Sequence, residues 1–298
     1  MPDLELPNGV LKWLAAVFTE CDRRITQKLH NNPNLPEESL DLTWIEHLSQ
    51  FSSPVTVAKA WTAKIESHFL GGLRHFYRWE IADIGVLLFV RRGGRVQLSK
   101  VALLQSKRLY PSSNQIVEEG RIDYEIGFAR IADPEDLARS IAVEHEFEFT
   151  ADCRYTALKA KSEQVKAIDG YEKKSKLPVY YQFYNPWKLP FTQRVPISEY
   201  EALPAGRGLG TRIIPAKKVH AKIAKEKKGF SPSVKDIRGL TRDAHSEGWS
   251  LPLFVTDLFL GCKEGARFDG IQDERVQTLF YRRSGPIAAA ISITIEGP

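Results

Sequence analysis

The stretch from Asp83 to Lys107 reads DIGVLLFVRRGGRVQLSKVALLQSK. It contains two apolar runs, residues 84–90 and residues 101–104, which are separated by a Gly-Gly pair. This pattern is typical of a β-hairpin, because glycine readily adopts the positive φ angles of tight hairpin turns. A hairpin places the start of its first strand beside the end of its second strand. We therefore predict that Asp83 lies close to Gln105 and Lys107.

The overall composition is that of a globular protein. Of 298 residues, 43% are hydrophobic and 27% are charged, and the length suits one large domain or two smaller ones. The formal net charge of +5 permits nucleic-acid binding without requiring it. Three widely spaced cysteines exclude a zinc ribbon and argue against a secreted disulfide scaffold. Because no run of 18 apolar residues and no leader-like start occurs, we expect a cytoplasmic protein without a membrane span.

Periodicity and turn residues predict the remaining elements. Helices are predicted over residues 9–30, 40–51, 56–70, 155–174, 216–228 and 254–260. Strands are predicted over residues 75–82, 84–91, 95–106, 146–149, 179–184, 278–283 and 287–295. The aromatic run at residues 180–184 favours a buried strand over a surface that stacks on bases.

The order of these elements resembles the PD-(D/E)XK nuclease superfamily, whose core runs α-β-β-β-α-β. The family motif is an Asp that opens the second strand and a (D/E/Q)-x-K tripeptide that closes the third. Here these are Asp83 and Gln105-Ser106-Lys107, the Gln variant known from Mrr-type restriction nucleases and from nuclease domains of anti-phage effectors. The resemblance covers about residues 56–184. It implies an α/β fold with a restriction-endonuclease-like core, in which helices flank a mixed central sheet.

The resemblance also implies roles for individual residues. Asp83 matches the main ligand for Mg²⁺ or Mn²⁺, and Gln105 matches a second ligand through its side-chain carbonyl. Lys107 matches the residue that orients or deprotonates the attacking water and offsets charge on the phosphate. Since Gln adds no negative charge, a further carboxylate is needed. Glu66 matches an acid on the first helix and is favoured over Glu80, because residues 80 and 83 have opposite strand parity.

Three regions are predicted from these assignments. Residues 1–55 form an N-terminal helical segment, residues 56–184 form the nuclease-like core with an insertion at about 108–154, and residues 185–298 form a basic α+β region. Two basic clusters are candidates for contacts with nucleic acid, with solvated helix faces as the alternative interpretation. Their candidate residues are Lys159, Lys161, Lys166, Arg207, Arg212, Lys217 and Lys218.

The predicted function is metal-dependent hydrolysis of phosphodiester bonds, with DNA as the expected substrate and bacterial anti-phage defence or restriction as the expected role. Other subunits of a defence system, or a second copy of the chain, are the expected protein partners. The first alternative is a nuclease-like subunit that binds DNA or a partner protein without cutting. A second alternative is an interaction protein that never contacts nucleic acid. In a purely structural interpretation, Asp83 caps a turn and Lys107 keeps an edge strand soluble.

Overall fold

The computed structural model describes residues 5–69, 80–112, 145–195, 201–204, 208–241, 247–280 and 286–298. Its α-helices are α1 (Asn8–Asn31), α2 (Glu37–Ser49), α3 (Glu163–Ser175), α4 (Ala216–Ile223), α5 (Val234–Ile237), α6 (Leu251–Leu253) and α7 (Glu274–Phe280). A π-helix covers Phe254–Leu260 and a 3-10 helix covers Gly270–Gln272. The predicted helix over residues 9–30 is confirmed as α1, and the one over residues 40–51 corresponds to α2.

The strands are β1 (Val55–Ala58), β2 (Trp61–Phe69), β3 (Ala82–Arg92), β4 (Arg95–Arg108), β5 (His145–Phe149), β6 (Val179–Tyr184), β7 (Phe191–Val195), β8 (Arg212–Pro215), β9 (Trp249–Ser250), β10 (Ala266–Arg267) and β11 (Ile287–Gly297). In the described part of the chain, nine of them form one mixed sheet in the order β1-β2-β11-β3-β4-β6-β8-β9, with β10 paired to β4. The other two, β5 and β7, form a separate antiparallel pair. The molecule is therefore an α/β protein with N-terminal helices.

The predicted hairpin is confirmed as β3 and β4. The two strands pair antiparallel from Ile84 opposite Leu104 to Arg92 opposite Arg95. Both turn glycines have positive φ, 53° at Gly93 and 76° at Gly94, as the tight turn requires. The hairpin thereby places the start of β3 at the same end of the sheet as the end of β4.

The predicted helix over residues 56–70 is wrong, because β1 and β2 form a second antiparallel hairpin there. In β2, Trp61, Ala63 and Ile65 are buried and the residues between them are half-buried. That alternation has the period of two expected of a strand with one covered face. The helix that precedes the central strands is α2.

Strand β11 lies inside the sheet. It pairs antiparallel with β2 and parallel with β3, although the sequence places it at the end of the chain. Strands β8 to β10 join the same sheet on the other side of β3. The region 185–298 thus completes the sheet that the predicted core begins, and the division of the chain into three regions stays a prediction.

Several predicted boundaries shift. Helix α3 begins at Glu163 rather than at residue 155, because the Ser162 side chain caps it by accepting the N–H of Val165. The basic helix α4 ends at Ile223. The predicted strand over residues 278–283 is wrong up to residue 280, where α7 ends, and its last residues lie outside the described part. Most of the strand predicted over residues 75–82 also lies there.

Two apolar layers hold the sheet between helices. Leu14, Phe18 and Trp44 of α1 and α2 are fully buried against one face. Ile168 of α3 and Val219 of α4 are fully buried against the other. All six residues of β6 are buried, as the aromatic pattern predicted. None of the described helices is both long and apolar enough to cross a membrane.

Candidate nuclease site

The polar residues that end β4 contact the carboxylate that begins β3. The side-chain amide of Gln105 donates to Oδ2 of Asp83 at 2.5 Å, and the backbone N–H of Ser106 donates to the same oxygen at 2.6 Å. Strand β6 runs parallel to β4 and ends beside it, with Tyr184 opposite Arg108. The predicted proximity of Asp83 and Gln105 is therefore confirmed.

Helix α2 covers this end of the sheet and adds two carboxylates. Oε2 of Glu37 lies 3.2 Å from Nζ of Lys107, and Oε1 of Glu37 accepts the backbone N–H of Arg108 at 3.1 Å. One turn further along α2, Oδ1 of Asp41 accepts the hydroxyls of Ser106 and Tyr184, each at 2.5 Å. Asp41 and Asp83 thus approach Ser106 through different atoms.

Burial and like charge dominate the electrostatics of this cluster. Burial raises the pKa of Asp83 well above its ordinary value, and the nearby Asp41 charge raises it further. Burial also raises the pKa of Asp41 to about 7, although hydrogen bonds from Ser106 and Tyr184 oppose the shift. Burial would lower the pKa of Lys107, but the carboxylates of Glu37, Asp83 and Asp41 outweigh it and raise this pKa. Lys107 therefore stays protonated at neutral pH.

The residues fit a hard divalent cation. The side-chain oxygen Oε1 of Gln105 is buried and has no hydrogen-bond partner among the described residues, and it lies on the residue that contacts the Asp83 carboxylate. Carboxylate and amide oxygens are the ligands that Mg²⁺ prefers, and Mg²⁺ keeps several waters beside one or two carboxylates. Among the described residues, no group of three His, Cys, Asp or Glu side chains is arranged to hold a metal. A bound ion would therefore depend on Asp83, Gln105 and water.

The two other carboxylates predicted from the sequence do not contact this cluster. Glu66 lies on strand β2, opposite Ser292 of β11, which in turn lies opposite Leu87 of β3. These registers place Glu66 about 16 Å from Asp83, and Glu66 pairs with Lys64 at 2.9 Å. The structure therefore does not bring Glu66 to Asp83, because its segment is a strand and not the first helix.

Glu80 is half-buried and lies just before β3. Within the described residues, no hydrogen bond or ion pair joins Glu80 to Asp83. The acids that do reach the site, Glu37 and Asp41, were missed by the sequence reasoning. A signal was present, since acids directly after Pro36 indicate a helix start and residues four apart share a helix face.

The predicted basic residues differ in availability. Lys159, Lys161, Lys166 and Lys217 are exposed, whereas Lys218 is half-buried and lies 5.7 Å from the ring centre of Trp249. The Arg212 guanidinium donates to the backbone carbonyls of Thr211 and Gly208 at 3.0 and 2.7 Å. This engagement leaves Arg212 poorly placed to bind a phosphate. Arg207 lies outside the described residues.

Comparison with known proteins adds no relative: no family model, curated protein or solved structure matches this chain.

Proposed function

We propose that this chain is a metal-dependent nuclease of the PD-(D/E)XK type, in its Gln variant, which hydrolyses phosphodiester bonds of DNA. The observation that carries the proposal is the direct contact between Asp83 and Gln105, with Lys107 two residues further along the same strand. An Asp and a Q-x-K tripeptide are common in sequences, but their meeting at the buried end of a hairpin is a much more restrictive condition.

The order of the elements supports the same proposal. Helix α2, strand β2, the strand pair β3–β4, helix α3 and strand β6 follow the family order once α2 replaces the predicted first helix, with β1 and β5 as additional strands. The pairing of β4 with β6 is parallel, with α3 in the crossover between them. One departure is that β11 separates β2 from β3. The first strand predicted for the core, residues 75–82, lies mostly outside the described residues.

The chain's own residues would divide the chemistry as follows. Asp83 and Gln105 would hold Mg²⁺ or Mn²⁺, which supplies a water of lowered pKa and offsets charge on the phosphate. Lys107 is a protonated donor, so it would orient the attacking water and stabilise negative charge rather than remove a proton. Glu37 would position Lys107 through their ion pair. Asp41, whose pKa is about 7, would add negative charge near the ion when it is deprotonated, in place of Glu66.

A second candidate function is binding without cutting. Gln105 and Lys107 are only 2% and 3% exposed, because α2 covers them. A phosphate could reach the ammonium group of Lys107 only if the carboxylate of Glu37 moved away from it or if helix α2 shifted. A nuclease-like subunit of a defence or restriction system that grips DNA or a partner protein would not need that movement.

The deciding experiment is a cleavage assay with supercoiled plasmid and linear DNA in Mg²⁺, in Mn²⁺ and in EDTA. The wild-type chain is compared with Asp83→Asn and with Asp152→Asn, whose exposed side chain pairs with Lys235. We expect metal-dependent nicking or degradation that Asp83→Asn abolishes and Asp152→Asn leaves intact. If the wild type shifts DNA in a gel but cuts under none of these conditions, the second candidate replaces the first.

A further inference from the structure

Backbone hydrogen bonds bring together two lysine pairs that are far apart in the sequence. The N–H of Ala160 donates to the carbonyl of Phe230 at 2.7 Å, and the carbonyl of Ala160 accepts the N–H of Gly229 at 3.0 Å. The lysines beside these bonds form what we call the lysine ridge: Lys159, Lys161, Lys227 and Lys228.

The ridge rests on a well-supported backbone. Next to it, the N–H of Tyr155 donates to the carbonyl of Pro232 at 3.0 Å. The Arg154 guanidinium donates to the carbonyl of Ser231 at 2.5 Å and lies 5.1 Å from the ring centre of Phe230. Because the backbone and Arg154 hold the two segments together, the four lysine side chains are not needed for that purpose.

The charges of the ridge are also available. All four lysines are exposed, and in the described part of the chain none of their ammonium groups forms an ion pair or a hydrogen bond. The neighbouring Lys166 differs, since it pairs with Glu163 at 2.7 Å. The ridge is therefore a compact group of four positive charges without ion pairs, in which the carboxylate of Glu163 acts on Lys228 through its charge alone.

The ridge lies at the same end of the sheet as the candidate nuclease site. Just beyond the end of β4, the N–H of Tyr110 donates to the carbonyl of Arg154 at 3.1 Å. Beyond the end of β6, Asn185 accepts the hydroxyl of Tyr155 at 2.6 Å. Following the chain from Lys107 through these contacts to Lys159 gives a separation of at most about 35 Å, which is about one turn of duplex DNA.

We propose that the lysine ridge binds the phosphate backbone of the nucleic acid that the site cuts, within one helical turn of the cleaved bond. This inference rests on the proposed nuclease function and adds where the substrate lies. The proposed binding surface does not include Arg212, which is engaged within the chain. It also does not include Lys217 and Lys218, which the sequence suggests as contacts. Backbone contacts of this kind provide affinity and position without reading base sequence.

A nucleic acid fits the ridge better than an anionic membrane surface does. Peripheral membrane binding by basic residues usually also needs large apolar side chains that insert into the lipid. Among the described residues, the large apolar side chains that are well exposed are Leu42 of α2 and Val96 of the β3–β4 hairpin, and neither belongs to the ridge segments. Charge alone, without apolar anchors, is the character of a phosphate-backbone surface.

The test measures binding by fluorescence anisotropy in EDTA, so that no substrate is cut, over a series of salt concentrations. The probes are a 20-base-pair DNA duplex, a single DNA strand and an RNA duplex of the same length. The ridge variant carries Lys159→Gln, Lys161→Gln, Lys227→Gln and Lys228→Gln. The control variant carries Lys173→Gln, Lys176→Gln, Lys217→Gln and Lys222→Gln. Both lose four charges and both change one lysine with positive φ, 59° at Lys161 and 60° at Lys176.

We expect the ridge variant to lose at least about tenfold in affinity at low salt and to reduce the salt slope by about 2 to 4, given about 0.7–0.9 per phosphate contact. The control variant should lose less than about threefold. Equal losses in the two variants would mean that only net charge matters and would overturn the inference. So would a wild type that binds none of the three probes, or one that binds only vesicles of phosphatidylserine and phosphatidylcholine.

The outcome is separable from that of the cleavage assay. Asp83→Asn should bind the probes as the wild type does, because Asp83 lies outside the ridge. If Asp83→Asn loses cutting and the ridge variant binds normally, the role of the ridge is rejected and the nuclease function is retained. If the ridge variant loses binding, while neither the wild type nor any variant cuts in any metal, the role of the ridge is retained and the nuclease function is rejected.

Discussion

The two ends of the β3–β4 hairpin both carry polar residues, yet they differ in their surroundings. At the turn end, Gly93, Gly94 and Arg95 are exposed. At the other end, Gln105, Ser106, Lys107 and Arg108 are all 3% exposed or less, under helix α2. The turn end of the hairpin therefore lies in solvent, and its other end lies in a buried polar cluster.

The two ends differ in the free energy needed to bury their polar side chains. A polar side chain at the end of a strand is inexpensive when water surrounds it, whereas burial of charges is unfavourable unless each is paired. At the buried end, Asp83 accepts two N–H groups, and Lys107 has Glu37 as its partner. Well-packed apolar residues often stabilise a buried position at least as well as an ion pair does, whereas removal of one partner of a buried pair is strongly destabilising.

The largest expected effect comes from removing the buried cation. Lys107→Met should reduce the free energy of unfolding by about 3–5 kcal/mol, because Glu37, Asp83 and Asp41 would lose the charge that compensates them. Arg95→Met, on the same strand at the exposed end, should change it by less than about 0.5 kcal/mol. Urea unfolding of both variants measures the difference. Equal midpoints would show that burial of Lys107 has no energetic consequence.

A smaller effect is expected for the amide that contacts Asp83. Gln105→Leu preserves the approximate size but removes the donor, so it should cost about 1–3 kcal/mol. Gln97→Leu is the control, because Gln97 is exposed on the same strand. Gln105→Glu should be less stable than the wild type in EDTA, since two carboxylates would meet, and should regain stability with Mn²⁺. A Gln105→Glu protein whose melting temperature ignores Mn²⁺ would contradict a metal between residues 83 and 105.

The smallest effect concerns the covering helix itself. Burial lowers the pKa of His47 on α2, so the folded state binds fewer protons than the unfolded state as pH falls below 6.5. The contribution of His47 to stability should therefore decrease from pH 7 to pH 5. The raised pKa values of Asp41 and Asp83 act in the opposite direction, and the lowered pKa of His30 acts in the same direction, so the prediction concerns the difference between two proteins. On going from pH 7 to pH 5, His47→Gln should gain stability relative to the wild type. Melting temperatures at the two pH values measure this, with the exposed His68→Gln as the control. A pH dependence that is the same in His47→Gln and the wild type would exclude His47 as a cause.

The errors in the predicted site have one physical origin. Trp61 to Glu66 carries alternating buried and half-buried residues, which is a strand pattern, but its neighbours made a helix plausible. Because the first helix is predicted over residues 56–70, the acid expected on that helix is Glu66 and not an acid of α2. In so short a stretch, the periodicity of the apolar residues and the length of the segment do not together distinguish a strand from a helix.

The sequence by itself determined the β3–β4 hairpin, the buried strand β6 and the meeting of Asp83 with Gln105, because glycine turns, strand periodicity and register act over neighbouring residues. Only the tertiary structure decided that Glu37 and Asp41 cover that meeting point, that β11 enters the sheet between β2 and β3, and that the lysine ridge forms. These contacts join residues far apart in the chain. Their choice depends on which apolar faces and free strand edges fit one another after the local elements have formed.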